Sequence, residues 1–160
     1  MRRTLAAAAA LLLCQACATS RQPPPLTAAD STALNRVRTD LTAAWDAGSV
    51  DGAVRLYAPD AEIQVPGRHP IRGTADISDY YNTTLGSPLR PVLDLGRAVI
   101  TAQGGLAVLD GSLDLTPKAG PPSTGKYLLV LLREPDGRWS IQYHALSFNE
   151  ASPAARPARR

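Results

Sequence analysis

The sequence is short of the residues from which most metal, thiol and phosphate sites are built. It has two cysteines, Cys14 and Cys17, both near its start. Once that start is cleaved away, no thiol remains for a disulfide or a zinc site. It has two histidines, His69 and His144, far apart in the chain. No Gly-x-Ser-x-Gly elbow and no phosphate-cradling glycine loop is present. The residues therefore call for no metal and no cofactor. Positive charge is scarce as well. Seventeen basic residues face fourteen acidic ones. Residues 1–18 hold Arg2 and Arg3 and no acid, so the remainder carries fifteen against fourteen, +1. A nucleic-acid partner, which needs a basic face, is not expected.

What the sequence does have begins with a leader. Arg2-Arg3, the apolar run Leu5–Leu13 and the small residues Ala16-Cys17-Ala18 make residues 1–18 a secretory signal peptide, too short for a stable membrane span. Leu-Leu-Leu-Cys-Gln-Ala-Cys also resembles a bacterial lipoprotein leader, with Cys17 as the lipidated residue. Two destinations stay open: free export to the periplasm after cleavage behind Ala18, or a membrane anchor through Cys17. Residues 19–27, with Pro23-Pro24-Pro25, read as an extended linker, and residues 150–160 as a solvated basic tail.

Between them, residues 28–149 read as one domain, helices first and strands after. Leu34, Val37, Leu41, Ala44 and Trp45 recur at helical spacing, with Thr27 or Asp30 to cap the start and Gly48 the end. A second helix is expected over Val50–Tyr57, stopped by Pro59, and a third over Ala75–Thr84 behind Thr74. Strands are expected at Ala61–Val65, Val92–Ala102, Leu106–Leu115, Lys126–Arg133 and Arg138–Phe148. Gly104-Gly105 and Pro135-Asp136-Gly137 mark two of the turns. This order predicts an α+β fold, with three N-terminal helices on one face of a mostly antiparallel sheet.

"LTAAWDAGSVDGAVRLYAPDAEIQVPG", "HPIRGTADISDYY" and the closing "DGRWSIQYHALSFN" resemble the SnoaL-like and DUF4440-type branches of the nuclear transport factor 2-like superfamily. The resemblance implies a cone: a curved sheet wrapped around the helices, with a mostly apolar pocket at the wide end. It does not imply one activity, because this fold hosts isomerases, cyclases, dehydratases, hydrolases and pure binders. Ketosteroid isomerases share the cone. Their catalytic Asp precedes the proline of the first strand–loop corner, a place that looks like Val65 here. Their oxyanion tyrosine falls where this chain has Leu41. Aliphatics in both places imply that this isomerase machinery is missing.

Candidate site residues come from alternation and from the resemblance. Ala61, Ile63 and Val65 share one strand face, and the resemblance turns Val65 toward the pocket. Trp45, Tyr57, Tyr80 and Tyr81 are expected to shape that pocket around a small-molecule ligand. Simple alternation puts His144 with Ser140 and Gln142, opposite Trp139, Ile141 and Tyr143. His144 is the first choice for a general acid or base, with a hydrogen-bonded structural histidine as the bland alternative. His69, in the Gly-Arg-His-Pro corner, is the rim candidate; a solvated loop histidine is the alternative. Asp110 is the candidate assisting carboxylate, although Ala107, Leu109, Leu113 and Leu115 make the apolar face of its strand and turn Asp110, Ser112 and Asp114 outward. "YLLVLLR" is apolar on both sides, which suggests a sheet face covered by a second copy and hence a homodimer.

Overall fold

The computed structural model describes residues 26–87, 91–118 and 121–149. The leader with Cys17, most of the linker and the basic tail lie outside the described residues.

Helix α1 spans Ala28–Ala47. It starts at a capping box in which Thr27 and Asp30 satisfy each other's backbone N–H, and it ends at Gly48 in the left-handed region, φ 65°. Its buried residues are Leu34, Val37, Leu41, Ala44 and Trp45, the stripe read from the sequence. Helix α2 covers only Val50–Val54, shorter than expected. The last strand claims the residues just beyond it: the Ile141 N–H donates to the Leu56 carbonyl at 2.8 Å, and Tyr57 pairs with Ile141. Strand β1 therefore opens at Tyr57 and runs to Gln64, with Pro59 inside it. Proline is tolerated there because the pairing register breaks between Tyr57 and Glu62, where no ladder hydrogen bond is needed. A two-residue strand β2, Ile71–Arg72, leads into helix α3, Gly73–Leu85. The expected cap is not used: the Thr74 hydroxyl reaches the Pro59 carbonyl at 3.4 Å instead.

Strands β3 (Val92–Gln103), β4 (Leu106–Thr116), β5 (Ser123–Arg133) and β6 (Trp139–Phe148) complete a six-stranded sheet of order β2-β1-β6-β5-β4-β3. Among the described residues, only the β1–β6 pair is parallel. The curved sheet packs its inner face against α1 and α3, as the α+β reading expected.

Two bulges reset which side chains face in. On β3 an extra residue falls between Leu95 and Ala98, so Leu93 and Leu95 point inward, and so do Ala98 and Ile100. On β6 Val130 pairs with Tyr143 while Leu131 pairs with Ile141, which leaves Gln142 as the extra residue. Its amide donates to Asp60 at 3.0 Å, across to the irregular part of β1. This corrects the alternation expected for β6. Trp139 and Ile141 face the core, and beyond the bulge His144 does too, while Tyr143 pairs outside.

Candidate functional site

An inner cavity of about 200 Å³ opens at the wide end of the cone. Its walls are aliphatic and aromatic: Leu41 and Trp45 from α1, Tyr80 and Tyr81 from α3, Val65 after β1, and Leu93, Leu95, Leu113 and Leu115 from β3 and β4. The last strand contributes His144, Leu146 and Phe148. This is the inward set that the Gln142 bulge creates. Trp45 is held by its indole N–H, which donates to the Pro91 carbonyl at 2.8 Å. Among the described residues, no aspartate or glutamate lines the cavity.

His144 is its main polar feature. The residue is 5% exposed and its Nδ1 lies 2.7 Å from the Tyr57 hydroxyl. Tyr57 in turn lies 2.7 Å from the Tyr81 hydroxyl. The hydroxyl of Tyr57 has one proton to give. If it donates to Nδ1 and accepts from Tyr81, both hydroxyl protons are used. If it donates to Tyr81, the proton of Tyr81 is left without an acceptor among the described contacts. The first order leaves one buried group unpaired, the Nε2–H, whereas the second leaves two, the Tyr81 proton and the Nε2 lone pair, so the first is favoured. It makes His144 the tautomer protonated at Nε2, a position assigned from the network. Nε2 is buried and has no hydrogen-bond partner among the described residues. The cavity thus presents one orphan N–H donor in an apolar chamber.

Burial also sets the charge. Desolvation pushes the His144 imidazole down from its ordinary 6.5 to about 4, so it is neutral near pH 7. Burial, and then Tyr81 beside it, raise the Tyr57 hydroxyl well above the usual phenol range. Burial raises Tyr81 likewise. The chain of three groups is therefore uncharged near pH 7.

The corner behind β1 makes the mouth. Val65-Pro66-Gly67-Arg68 closes with a hydrogen bond from the Arg68 N–H to the Val65 carbonyl at 3.1 Å, and Gly67 has φ 76°. Proline second and a positive-φ glycine third are the marks of a type II turn. The turn leaves Val65 in the cavity wall and brings Arg68 to its edge, 5.9 Å above the ring of Tyr80.

The structure brings Trp45, Val65, Tyr80, Tyr81 and His144 to one cavity, with Tyr57 directly behind His144. It does not bring the other two candidates there. His69 is exposed in an outer cleft with Asp76 and Asp79. Asp110 projects from the outer face of β4, across the sheet from His144. Leu41, at the place suggested for an oxyanion tyrosine, lines the cavity as an aliphatic wall, and so does Val65. Another groove, about 630 Å³, lies between α1 and the β5–β6 turn. It is larger but shallow and open, and it holds none of the predicted site residues.

A model of the SnoaL-like domain matches residues 39–141. The chain belongs to the SnoaL-like domain family. Solved structures agree on the fold. A Nostoc punctiforme protein of unknown function with a cystatin-like fold superposes with a TM-score of 0.71 at 13% identity, over 82% of this chain and 99% of that one. A ketosteroid isomerase-like protein from Erwinia carotovora atroseptica gives 0.63 at 16% identity, over 75% and 96%. A proposed scytalone dehydratase from Novosphingobium aromaticivorans gives 0.66 at 16%, over 82% and 95%. At such identities the likeness is one of fold alone. Within this SnoaL-like domain, sequence reasoning missed Arg68 as a mouth residue. The Pro66-Gly67 pair that turns it there was the available signal.

Proposed function

We propose that this SnoaL-like domain binds a small, mostly apolar molecule in its inner cavity, with His144 donating the single specifying hydrogen bond. The observation that carries this is the orphan Nε2 of a neutral, nine-tenths buried imidazole in an otherwise apolar chamber. A buried donor without a partner costs about 1–3 kcal/mol, which a ligand carrying an acceptor oxygen recovers on binding. The leader read at residues 1–18 supports a binder that works outside the cytoplasm.

A second reading is cofactor-free chemistry of the dehydratase or isomerase kind, as the names of two fold relatives suggest for those proteins. The hydroxyl-backed imidazole supports it, since a neutral histidine can polarise a carbonyl or steady a developing oxyanion. The missing carboxylate base weighs against it. His144→Ala separates the two. A binder should lose about tenfold or more in affinity for acceptor-bearing ligands. An enzyme should lose turnover of a bound ligand by about a hundredfold or more. If affinity and turnover are both unchanged, His144 is structural and both readings fall.

The outer sheet face supports association with a second copy. Val99 is 64% exposed, Leu106 45% and Leu132 39%, and they flank Val108, Leu128 and Val130 on that face.

A further inference from the structure

Arg68 has no role in the fold that its contacts reveal. It is exposed, it forms no ion pair among the described residues, and its guanidinium rests over Tyr80. Yet Arg68 and Tyr80 are shared by the inner cavity and the outer cleft, so they stand at the boundary between the two. The carboxylates of that region, Asp76 and Asp79, line the cleft and not the cavity. Seen from inside, the chamber has a neutral donor at His144, walls that are apolar but for the mutually bonded Tyr80 and Thr84 hydroxyls, and, among the described residues, one cation at the rim.

Volume adds a limit. A dry apolar cavity of about 150 Å³ accepts benzene. About 200 Å³ therefore takes one six-membered ring with a short substituent and excludes a fused four-ring skeleton. A ring substituent ending in an acceptor oxygen can meet Nε2 of His144. A second substituent that leaves through the boundary with the outer cleft passes the guanidinium of Arg68. Arginine matches a carboxylate there with paired N–H donors, and an ammonium group in that place would be repelled.

We propose that the ligand is a single-ring carboxylate: its uncharged oxygen is held by His144, its ring lies in the apolar chamber, and its carboxylate is held by Arg68. The proposal rests on the inner cavity being the ligand site, and it adds the charge and the size of what enters. Recognition at the mouth is partly solvated, so it should weaken as salt rises, whereas contacts inside should not. Tyr80 keeps the guanidinium over the opening by cation–π contact and so acts as a positioning residue.

The test uses two probes on the full mature chain: 4-formylbenzoate, and its neutral methyl ester. Affinities are measured by calorimetry at low and high salt, for the wild type, Arg68→Gln and His144→Phe. Circular dichroism checks that each variant is folded. The proposal expects the acid to bind about tenfold more tightly than the ester at low salt. Arg68→Gln should erase that preference and leave the ester unchanged, and salt should erode only the preference. His144→Phe should weaken both probes. If the ester binds as well as the acid, or if Arg68→Gln weakens both alike, the charge assignment is overturned while the cavity reading stands. If neither probe binds the folded wild type, both are overturned. If a four-ring ketone binds more tightly than either probe, the size assignment falls.

Discussion

The imidazole of His144 is where sequence, burial and chemistry meet most directly. In the unfolded chain it titrates near 6.5, and in the folded protein near 4. Between those values the unfolded state holds more protons, so stability rises with pH across the window. The stabilisation is complete above about pH 6.5 and is lost as acidification proceeds toward about pH 4. The loss reaches up to roughly 3 kcal/mol, since each tenfold change in proton affinity is worth about 1.4 kcal/mol. Urea unfolding at about pH 7 and about pH 4.5 should show His144→Phe with a smaller acid loss than the wild type; an identical loss would mean that the ring is not buried neutral. The proton order along Tyr81, Tyr57 and His144 can be tested in the same way. Tyr57→Phe strands the Nδ1 acceptor and the Tyr81 proton together, and should cost about 1–3 kcal/mol. Tyr81→Phe removes only a donor to an oxygen that still bonds His144, and should cost less. Nitrogen-15 shifts of the imidazole check the order directly: a protonated Nδ1 and a bare Nε2 would reverse it and make Nε2 an acceptor.

Single elements were legible in the sequence to the degree that their causes are local. Helix α1 was, because Thr27, Gly48 and a regular apolar stripe are all written within it. The end of α2 was not, because the pairing of Tyr57 with Ile141 that ends it comes from a strand more than eighty residues later. The facing of β6 failed for a similar reason. Alternation is a sound rule only for an unbroken ladder, and the Gln142 bulge is set by what β1 and β5 require on either side. The choice of His144 therefore rested on the resemblance, and its geometry came from a bulge that no residue pattern announces. Gln142 gives the element-scale prediction. Deleting it should leave Ile141 on Leu131 and Tyr143 on Val130 as consecutive pairs of an unbroken ladder, so His144, Leu146 and Phe148 keep facing the chamber and only the local bend and the Asp60 bond are lost. Near-ultraviolet circular dichroism and cooperative unfolding should survive the deletion. Gln142→Ala keeps the residue count and gives up one exposed hydrogen bond to Asp60, so it should cost less than about 1 kcal/mol. A deletion variant that loses its near-ultraviolet signal would show that Tyr143–Phe148 did shift and that Gln142 is not the extra residue.

At the scale of the whole molecule, the cone and its pocket followed from the order of helices and strands together with the family motifs, while the outer face did not follow from either. "YLLVLLR" is apolar on both sides, and the register explains which neighbours share its outward half. Thr101, Val108, Val130 and Tyr143 form one row across β3 to β6, and Val99, Asp110, Leu128 and Ala145 form the next. A face of four strands, each about ten residues long, measures roughly 19 by 33 Å, about 600 Å². That is close to the roughly 800 Å² per partner of a stable interface. A central apolar band with Asp110 and Lys126 toward one side suits a two-fold pairing of like surfaces, because each copy offers both charges. Residues 19–160 should therefore sediment as a dimer at micromolar concentration. Val130→Glu places a carboxylate in the middle of the band and should give a monomer that still binds ligand, since the cavity opens on the other side of the sheet. A wild-type chain that stays monomeric at high micromolar concentration would leave this face without a second copy to cover it, and a dimer that survives Val130→Glu would place the interface elsewhere.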